Sequence, residues 1–280
     1  MDRFSPIGVF DSGLGGISVL RGILRELPGE DCYYFGDSRH APYGVRPVEE
    51  VRQLARGAVE HLMEKGCKAI VIACNTATSA AAAQLREEFP QIPIIGIEPA
   101  LKPAVERHPG GRILVMATAM TLQEQKFLDL WDQYKEYAEI VPVPCSGLME
   151  FVERGELWGD DLERFLLEKL EPFTKVPVDA VVLGCTHYPF LRGTLRRLMG
   201  RGPEILDGAE GVARQLRRIL EARELCNPGE KGSVTFENSL EGPEMLQLSQ
   251  ALLSCPMEEA SGNGEMDAGD VRRAQTAAVL

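Results

Sequence analysis

The 280-residue sequence contains no apolar run approaching the roughly 20 residues a membrane-crossing helix needs, so a bilayer-spanning protein is excluded. Its first residues, Met1-Asp2-Arg3-Phe4-Ser5-Pro6, lack the apolar stretch of a secretion signal, and a cytosolic location is the expectation. Positive charge is scarce: 30 Lys and Arg against 42 Asp and Glu leave a net charge of -12. That balance argues against non-specific nucleic-acid binding, which draws its affinity from basic contacts to phosphate. A small anionic ligand stays open, because backbone N–H groups at helix starts hold a carboxylate without net positive charge. The seven cysteines form no Cys-x-x-Cys and no zinc-finger spacing. Odd in number, they are expected to be thiols, most of them small buried hydrophobes. What remains, 44% hydrophobic and 26% charged residues, is the composition of a globular protein with length enough for two domains.

The chain reads as strand, loop and helix in repetition. Short apolar runs at Ile7–Phe10, Cys32–Gly36, Ala69–Ala73 and Ile92–Ile97 predict strands. Helical spacing follows over Ile17–Leu27, Pro47–Lys65 and Ser79–Phe89. A second series begins at Arg112–Ala117 and continues with a helix around Leu122–Trp131 and the strand Glu139–Val143. Helices around Leu148–Glu153 and Asp161–Pro172 and the strand Ala180–Gly184 complete it. Such alternation predicts a doubly wound, mostly parallel α/β fold, in which ligands sit beyond the carboxyl ends of the strands. Asp11, Asp37, Cys74, Thr118 and Cys185 all fall at expected strand ends.

The two series look like copies of one plan. Lys68-Ala69-Ile70-Val71-Ile72-Ala73-Cys74-Asn75-Thr76 matches Asp179-Ala180-Val181-Val182-Leu183-Gly184-Cys185-Thr186-His187, and Asp11 and Thr118 take corresponding places. The expectation is two similar α/β domains related by a pseudo-twofold axis, with an active site in the cleft between them. Residues 1–98 and 208–255 would form one domain, the latter returning through Val212–Glu224 and Ser233–Phe236; residues 99–207 would form the other. Residues 256–280, poor in large apolar side chains, read as a poorly packed tail.

Matched cysteines on opposite walls of a cleft suit one chemistry in particular. Inverting an amino-acid α-carbon requires a proton to leave one face and another to arrive on the opposite face, so two acid–base groups must flank the carbon. A thiol qualifies where the site stabilises some thiolate, and both strand-to-helix junctions offer helix N–H groups that favour an anion. Cys32, Cys67, Cys145, Cys226 and Cys255 have no such counterparts and read as structural. Asn75, Thr76, Thr121 and Thr186 offer polar groups for substrate carboxylates, or serve as helix caps. Asp11, beside Ser12, could bind an ammonium or tune a thiol, or be a turn residue. His187 could assist proton delivery at Cys185. Pro42-Tyr43-Gly44 reads as a rigid turn presenting a phenol and a backbone N–H.

Other readings compete. Gly13-Leu14-Gly15-Gly16-Ile17-Ser18 with Asp37 resembles a dinucleotide fingerprint, but Ser18 stands where the third glycine belongs and Asp11 would face the pyrophosphate. A metal site from Cys74, Cys185, His187 and His40 has no supporting local spacing. A cysteine hydrolase leaves the second matched cysteine unexplained. A non-catalytic amino-acid-binding module would suit two lobes but has no need of paired thiols.

Taken together, the segments Gly8–Gly16, Gly36-Asp37 with Pro42-Tyr43-Gly44, Ala73–Ala77, Thr118–Thr121, Gly147–Gly155 and Gly184–Pro189 resemble the glutamate racemase family, in order and with its spacing, from about residue 7 to 225. The resemblance implies a two-domain α/β enzyme that interconverts L- and D-glutamate without pyridoxal phosphate, metal or nucleotide and supplies D-glutamate for bacterial peptidoglycan. It implies that Cys74 takes the proton from D-glutamate and Cys185 from L-glutamate, supported by Asp11 and His187. Substrate contacts would fall on Asp11, Ser12, Tyr43, Gly44, Asn75, Thr76, Thr118, Thr121, Thr186 and His187. A related aspartate racemase tends to carry an acidic residue where His187 stands, which favours glutamate. Ser38-Arg39-His40-Ala41 departs from the family's Thr-Ala-Arg-like run, leaving the contacts of that loop open. No long N-terminal extension is present, so regulation by a cell-wall nucleotide precursor is not expected. A homodimer is open, since the sequence does not fix the oligomeric state.

Overall fold

The computed structural model describes residues 2–255; the tail expected over 256–280 lies outside them. Among the described residues, nine strands form two parallel sheets. The first contains β1 (Ile7–Asp11), β2 (Cys32–Gly36), β3 (Ala69–Ile72), β4 (Ile94–Gly96) and β9 (Val234–Asn238), in the order β4-β3-β1-β2-β9. The second contains β5 (Arg112–Ala117), β6 (Glu139–Pro144), β7 (Ala180–Leu183) and β8 (Glu204–Asp207), in the order β6-β5-β7-β8. Read from its other edge, the second sheet runs β8-β7-β5-β6, the same plan as β4-β3-β1-β2. The copied topology places Cys74 after β3 and Cys185 after β7, and Asp11 and Thr118 at the ends of β1 and β5.

These strands are parallel because each returns through a helix: α1 (Ile17–Glu26), α2 (Val48–Glu64) and α3 (Asn75–Glu88) in the first half. The second half uses α5 (Ala119–Gln123) with α6 (Gln125–Tyr134), α7 (Met149–Glu153) with α8 (Asp160–Thr174), and α9 (Arg192–Met199). α4 (Leu101–Arg107) joins the halves, and α10 (Ala209–Ala222) and α11 (Glu244–Ser254) complete the described residues. Covered on both faces, the central strands carry continuous apolar runs, and alternate residues feed opposite cores. Val9 and Val71 join a cluster with Leu20, Leu216, Met116 and Leu183 that is continuous across both sheets. Phe10, Ile70 and Ile72 point the other way, toward Val59 and Leu85. The two crossings between halves run side by side, so close that a Cβ on Gly208 would lie 2.4 Å from the Glu98 carbonyl. No helix among the described residues is long and apolar enough to cross a membrane.

Several boundaries differ from the sequence reading. α3 begins at Asn75, four residues before the expected Ser79, because the Cys74 sulfur accepts the Ala77 N–H (3.4 Å) and caps the first turn. The helix expected at Leu122–Trp131 is two helices, broken where Glu124 adopts an extended conformation. At the base of the first sheet, Lys68 Nζ lies 2.5 Å from Glu30 Oε2 and donates to the Arg3 carbonyl, while Glu30 Oε1 accepts the Asn227 N–H (2.8 Å). This buried ion pair ties the start of the chain to the segment leading into β9.

Candidate active site

The carboxyl ends of β1, β3, β5 and β7 bring the polar residues of both halves face to face. Asp11 is fully buried; its carboxylate accepts the Gly13 N–H (3.0 Å) and, from the opposite half, the Thr186 hydroxyl (3.0 Å). Burial raises its pKa above the ordinary carboxylate value, against the opposing pull of His187, Thr186 and Gly13. Gly16 lets α1 start against this strand end, since a Cβ there would meet the Asp11 Cβ at 2.6 Å.

The two matched cysteines occupy different electrostatic settings. Cys74 caps α3 and donates to Ser12 Oγ (3.4 Å). Burial, and next the charge of Asp11, push its thiol up to about 12, so it rests protonated. Cys185 lies close enough for its charge to add to that rise. The sequence suggested that helix N–H groups would favour an anion at both sites. Cys185 instead precedes a single turn at Tyr188–Leu191, and α9 starts only at Arg192. Its sulfur partner is His187 Nδ1, 3.6 Å away.

His187 is buried, and its Nε2 lies 2.6 Å from Glu153 Oε1 and 3.2 Å from the Gly15 nitrogen. One protonation state cannot satisfy both, because Gly15 N–H needs a bare ring nitrogen and the carboxylate needs a protonated one. The shorter, charge-assisted contact decides for the proton on Nε2. Burial alone would disfavour the imidazolium, but Cys185 and Glu153 together outweigh it and hold the pKa well above the ordinary histidine value. Glu153 Oε1 also accepts the Leu14 N–H (2.7 Å), so the end of α7 seats the loop before α1. A side chain at Gly13 would displace the Glu153 carboxylate, since its Cβ would lie 2.1 Å from that same oxygen.

A second junction is built from threonines. Thr118 caps α5 by accepting the Thr121 N–H (3.2 Å), and their hydroxyls lie 2.9 Å apart. Thr76, from the other half, lies 3.4 Å from each. Gly44 comes against the same point, where a Cβ would be 3.0 Å from the Thr118 Cβ. Tyr43 is buried and donates to Asp37 Oδ2 (2.7 Å). Asn75 is buried with both side-chain amide atoms unpaired.

The expected residues Asp11, Ser12, Tyr43, Gly44, Cys74, Asn75, Thr76, Thr118, Thr121, Cys185, Thr186 and His187 thus gather at facing strand ends. His40, weighed as a metal ligand, pairs instead with Asp37 (2.8 Å). Glu153 was missed as a site residue. It sits at the end of a helix and not of a strand, and its signal was the Phe151-Val152-Glu153-x-Gly155 run.

A duplicated parallel α/β fold with polar strand ends apposed across the two sheets defines a two-lobed α/β class. The profile of the Asp/Glu/hydantoin racemase family matches residues 7–216. A glutamate racemase of Clostridium perfringens is 51% identical over 250 residues, which is 89% of this chain and 96% of that enzyme. A glutamate racemase isoform of Bacillus anthracis has a structure similar to this one with a TM-score of 0.78 at 30% identity, covering 91% of this chain and 96% of that one. The glutamate racemase of Francisella tularensis, solved with D-glutamate, gives a TM-score of 0.78 at 26% identity over the same shares. The chain belongs to the Asp/Glu/hydantoin racemase family and is an isomerase.

Proposed function

We propose that this enzyme interconverts L- and D-glutamate by a two-thiol mechanism without a cofactor, in the cytosol, and that its D-glutamate feeds peptidoglycan synthesis. The lobes would be residues 1–98 with 208–255, and 99–207. The observation that carries the reading is the pair of thiols at equivalent strand ends of a copied fold, with Cys185 near enough for its charge to act on Cys74. Cys185, its sulfur 3.6 Å from His187 Nδ1, removes the Cα proton of L-glutamate. Cys74, held protonated, delivers its proton to the opposite face and becomes the thiolate. D-glutamate then forms with Cys185 protonated, and the reverse reaction exchanges the two roles. Asp11 would pair with the substrate ammonium. The unpaired Asn75 amide, costly to bury alone, supports a carboxylate contact there with Thr76 and Thr186. Ser12, Tyr43, Gly44, Thr118, Thr121 and His187 would complete the grip.

Incubating the protein with L-glutamate in deuterated water, with nothing else added, should place deuterium at Cα as the D-form grows. Cys74→Ala and Cys185→Ala should each abolish racemisation and leave glutamate binding measurable. Substantial racemisation in either variant removes the two-base mechanism, and turnover of aspartate alone rejects glutamate as the substrate.

A further inference from the structure

The loop between β2 and α2 carries Tyr43 and Gly44, and it also carries the run Ser38-Arg39-His40-Ala41 that departs from the family resemblance. The structure shows how this run is held. His40 Nδ1 lies 2.8 and 3.0 Å from the two oxygens of Asp37, while the Tyr43 hydroxyl donates to Asp37 Oδ2 from the other side (2.7 Å). Asp37 is buried, and its N–H donates to the Asp11 carbonyl (2.9 Å), so this clamp stands on the end of β1. Outside the loop, the end of β9 supplies a mount. Asn238 Nδ2 donates to Ser38 Oγ (2.9 Å), and the Arg39 N–H and Nε–H donate to the hydroxyl and carbonyl of Ser239 (2.9 Å each). Ser239 is itself fixed by its N–H to the Gly36 carbonyl (2.9 Å). At its far end the loop rests on Thr118 of the opposite half through Gly44.

We infer that His40 and Ser239 are positioning residues that hold Tyr43 and Gly44 at a set distance from Thr118 and thereby set the KM for glutamate; this rests on the substrate assigned above. His40 acts through Asp37 on Tyr43, and Ser239 acts through Arg39 on the whole loop. The loop grips the ligand in ground state and transition state alike, so loosening it weakens binding and leaves the chemical step intact.

His40→Ala should raise KM for both enantiomers about fivefold, the worth of a hydrogen bond between a half-exposed imidazole and a buried carboxyl group, with kcat within about twofold of the parent. His40→Asn, whose amide N–H can donate to Asp37, should bring KM back to within about twofold of the parent. Because His40 works through Tyr43, adding His40→Ala to Tyr43→Phe should cost less than the two single effects combined. Ser239→Ala should raise KM about threefold, and Ser239→Thr should restore it. Trypsin supplies a readout independent of any substrate: the Arg39–His40 bond should be cut faster in Ser239→Ala and in His40→Ala, and at the parent rate in the two rescue variants. Unchanged KM in His40→Ala, a loss in kcat alone, failed rescue, full additivity with Tyr43→Phe, or unchanged trypsin cleavage each overturns the assignment. Should the parent not turn over glutamate, that failure falls on the proposed substrate, and the cleavage rates still decide the mount.

Discussion

Replacing Glu153 with Gln removes one negative charge while keeping the shape of the side chain. The Gln carbonyl can still accept from Leu14 N–H and from His187 Nε2–H, so the loop before α1 stays seated. The loss is the difference between a hydrogen bond to a charged partner, roughly 1.5–3 kcal/mol, and a neutral one of about 1 kcal/mol. A loss of about 1.4 kcal/mol slows proton transfer at Cys185 about tenfold. Two bare unit charges 4 Å apart would give about 4 kcal/mol at an effective dielectric of about 20; that is an upper bound, since the Glu153 side chain keeps 15% of its surface open to water. The enantiomers of glutamate have equal free energy, so kcat/KM for the two must remain equal in every variant and fall together here. Asymmetry appears instead in the isotope effect: a slower transfer at Cys185 enlarges the Cα-deuterium effect starting from L-glutamate more than from D-glutamate. His187 is held protonated, against burial, by Cys185 and Glu153, so the alkaline fall in rate, where the imidazolium loses its proton, should move to lower pH in the variant. Circular-dichroism progress curves with protonated and deuterated substrates measure all three quantities. Rates within twofold of the parent, or an isotope effect that grows from the D side, would refute the role assigned to Glu153.

Two stability measurements follow from the same geometry. Asp11→Asn should raise the thermal midpoint at pH 7 while lowering racemisation. The native carboxyl has a raised pKa, so its ionisation penalises the folded state above that value; the advantage of Asn should shrink as pH falls through the raised pKa and vanish below the ordinary 3.8. An advantage that grows toward acid would contradict this sign. Lys68→Met should lower the midpoint by about 10 °C, because it strands the Glu30 carboxylate in the interior at a cost of about 3–5 kcal/mol. Adding Glu30→Gln should recover part of that loss, and no recovery would mean the pair matters through packing alone.

The strands that carry the site were plain in the sequence because buried parallel strands leave continuous apolar runs, as at Ile7–Phe10, Ala69–Ala73 and Ala180–Gly184. The cysteines stood out because the flanking runs repeat. β8 escaped notice, since Glu204-Ile205-Leu206-Asp207 holds only two apolar residues. α4 was hidden by Pro103 within a seven-residue helix, and α9 by its charged Arg-rich face. The unlike settings of the two thiols were illegible for a different reason. The flanking runs match and His187 stands where the other copy has Thr76, but the Glu153 carboxylate that pairs with that imidazole is distant in sequence and arrives from another element. Asp37 could be placed at a strand end from periodicity, but its pairing with both His40 and Tyr43 depends on how the loop folds back.

The position of β9 dictates an order of assembly during synthesis. Among the described residues, the second sheet draws all its strands from one uninterrupted stretch ending at Asp207, whereas the first gains its outer strand only with Val234–Asn238. A chain emerging from the ribosome therefore holds every strand of the later-encoded sheet before the earlier one can be finished. The last strand to arrive also brings Ser239, on which the Tyr43 loop is mounted. Nascent chains cut short before that point would carry both sulfurs and leave the loop unsupported.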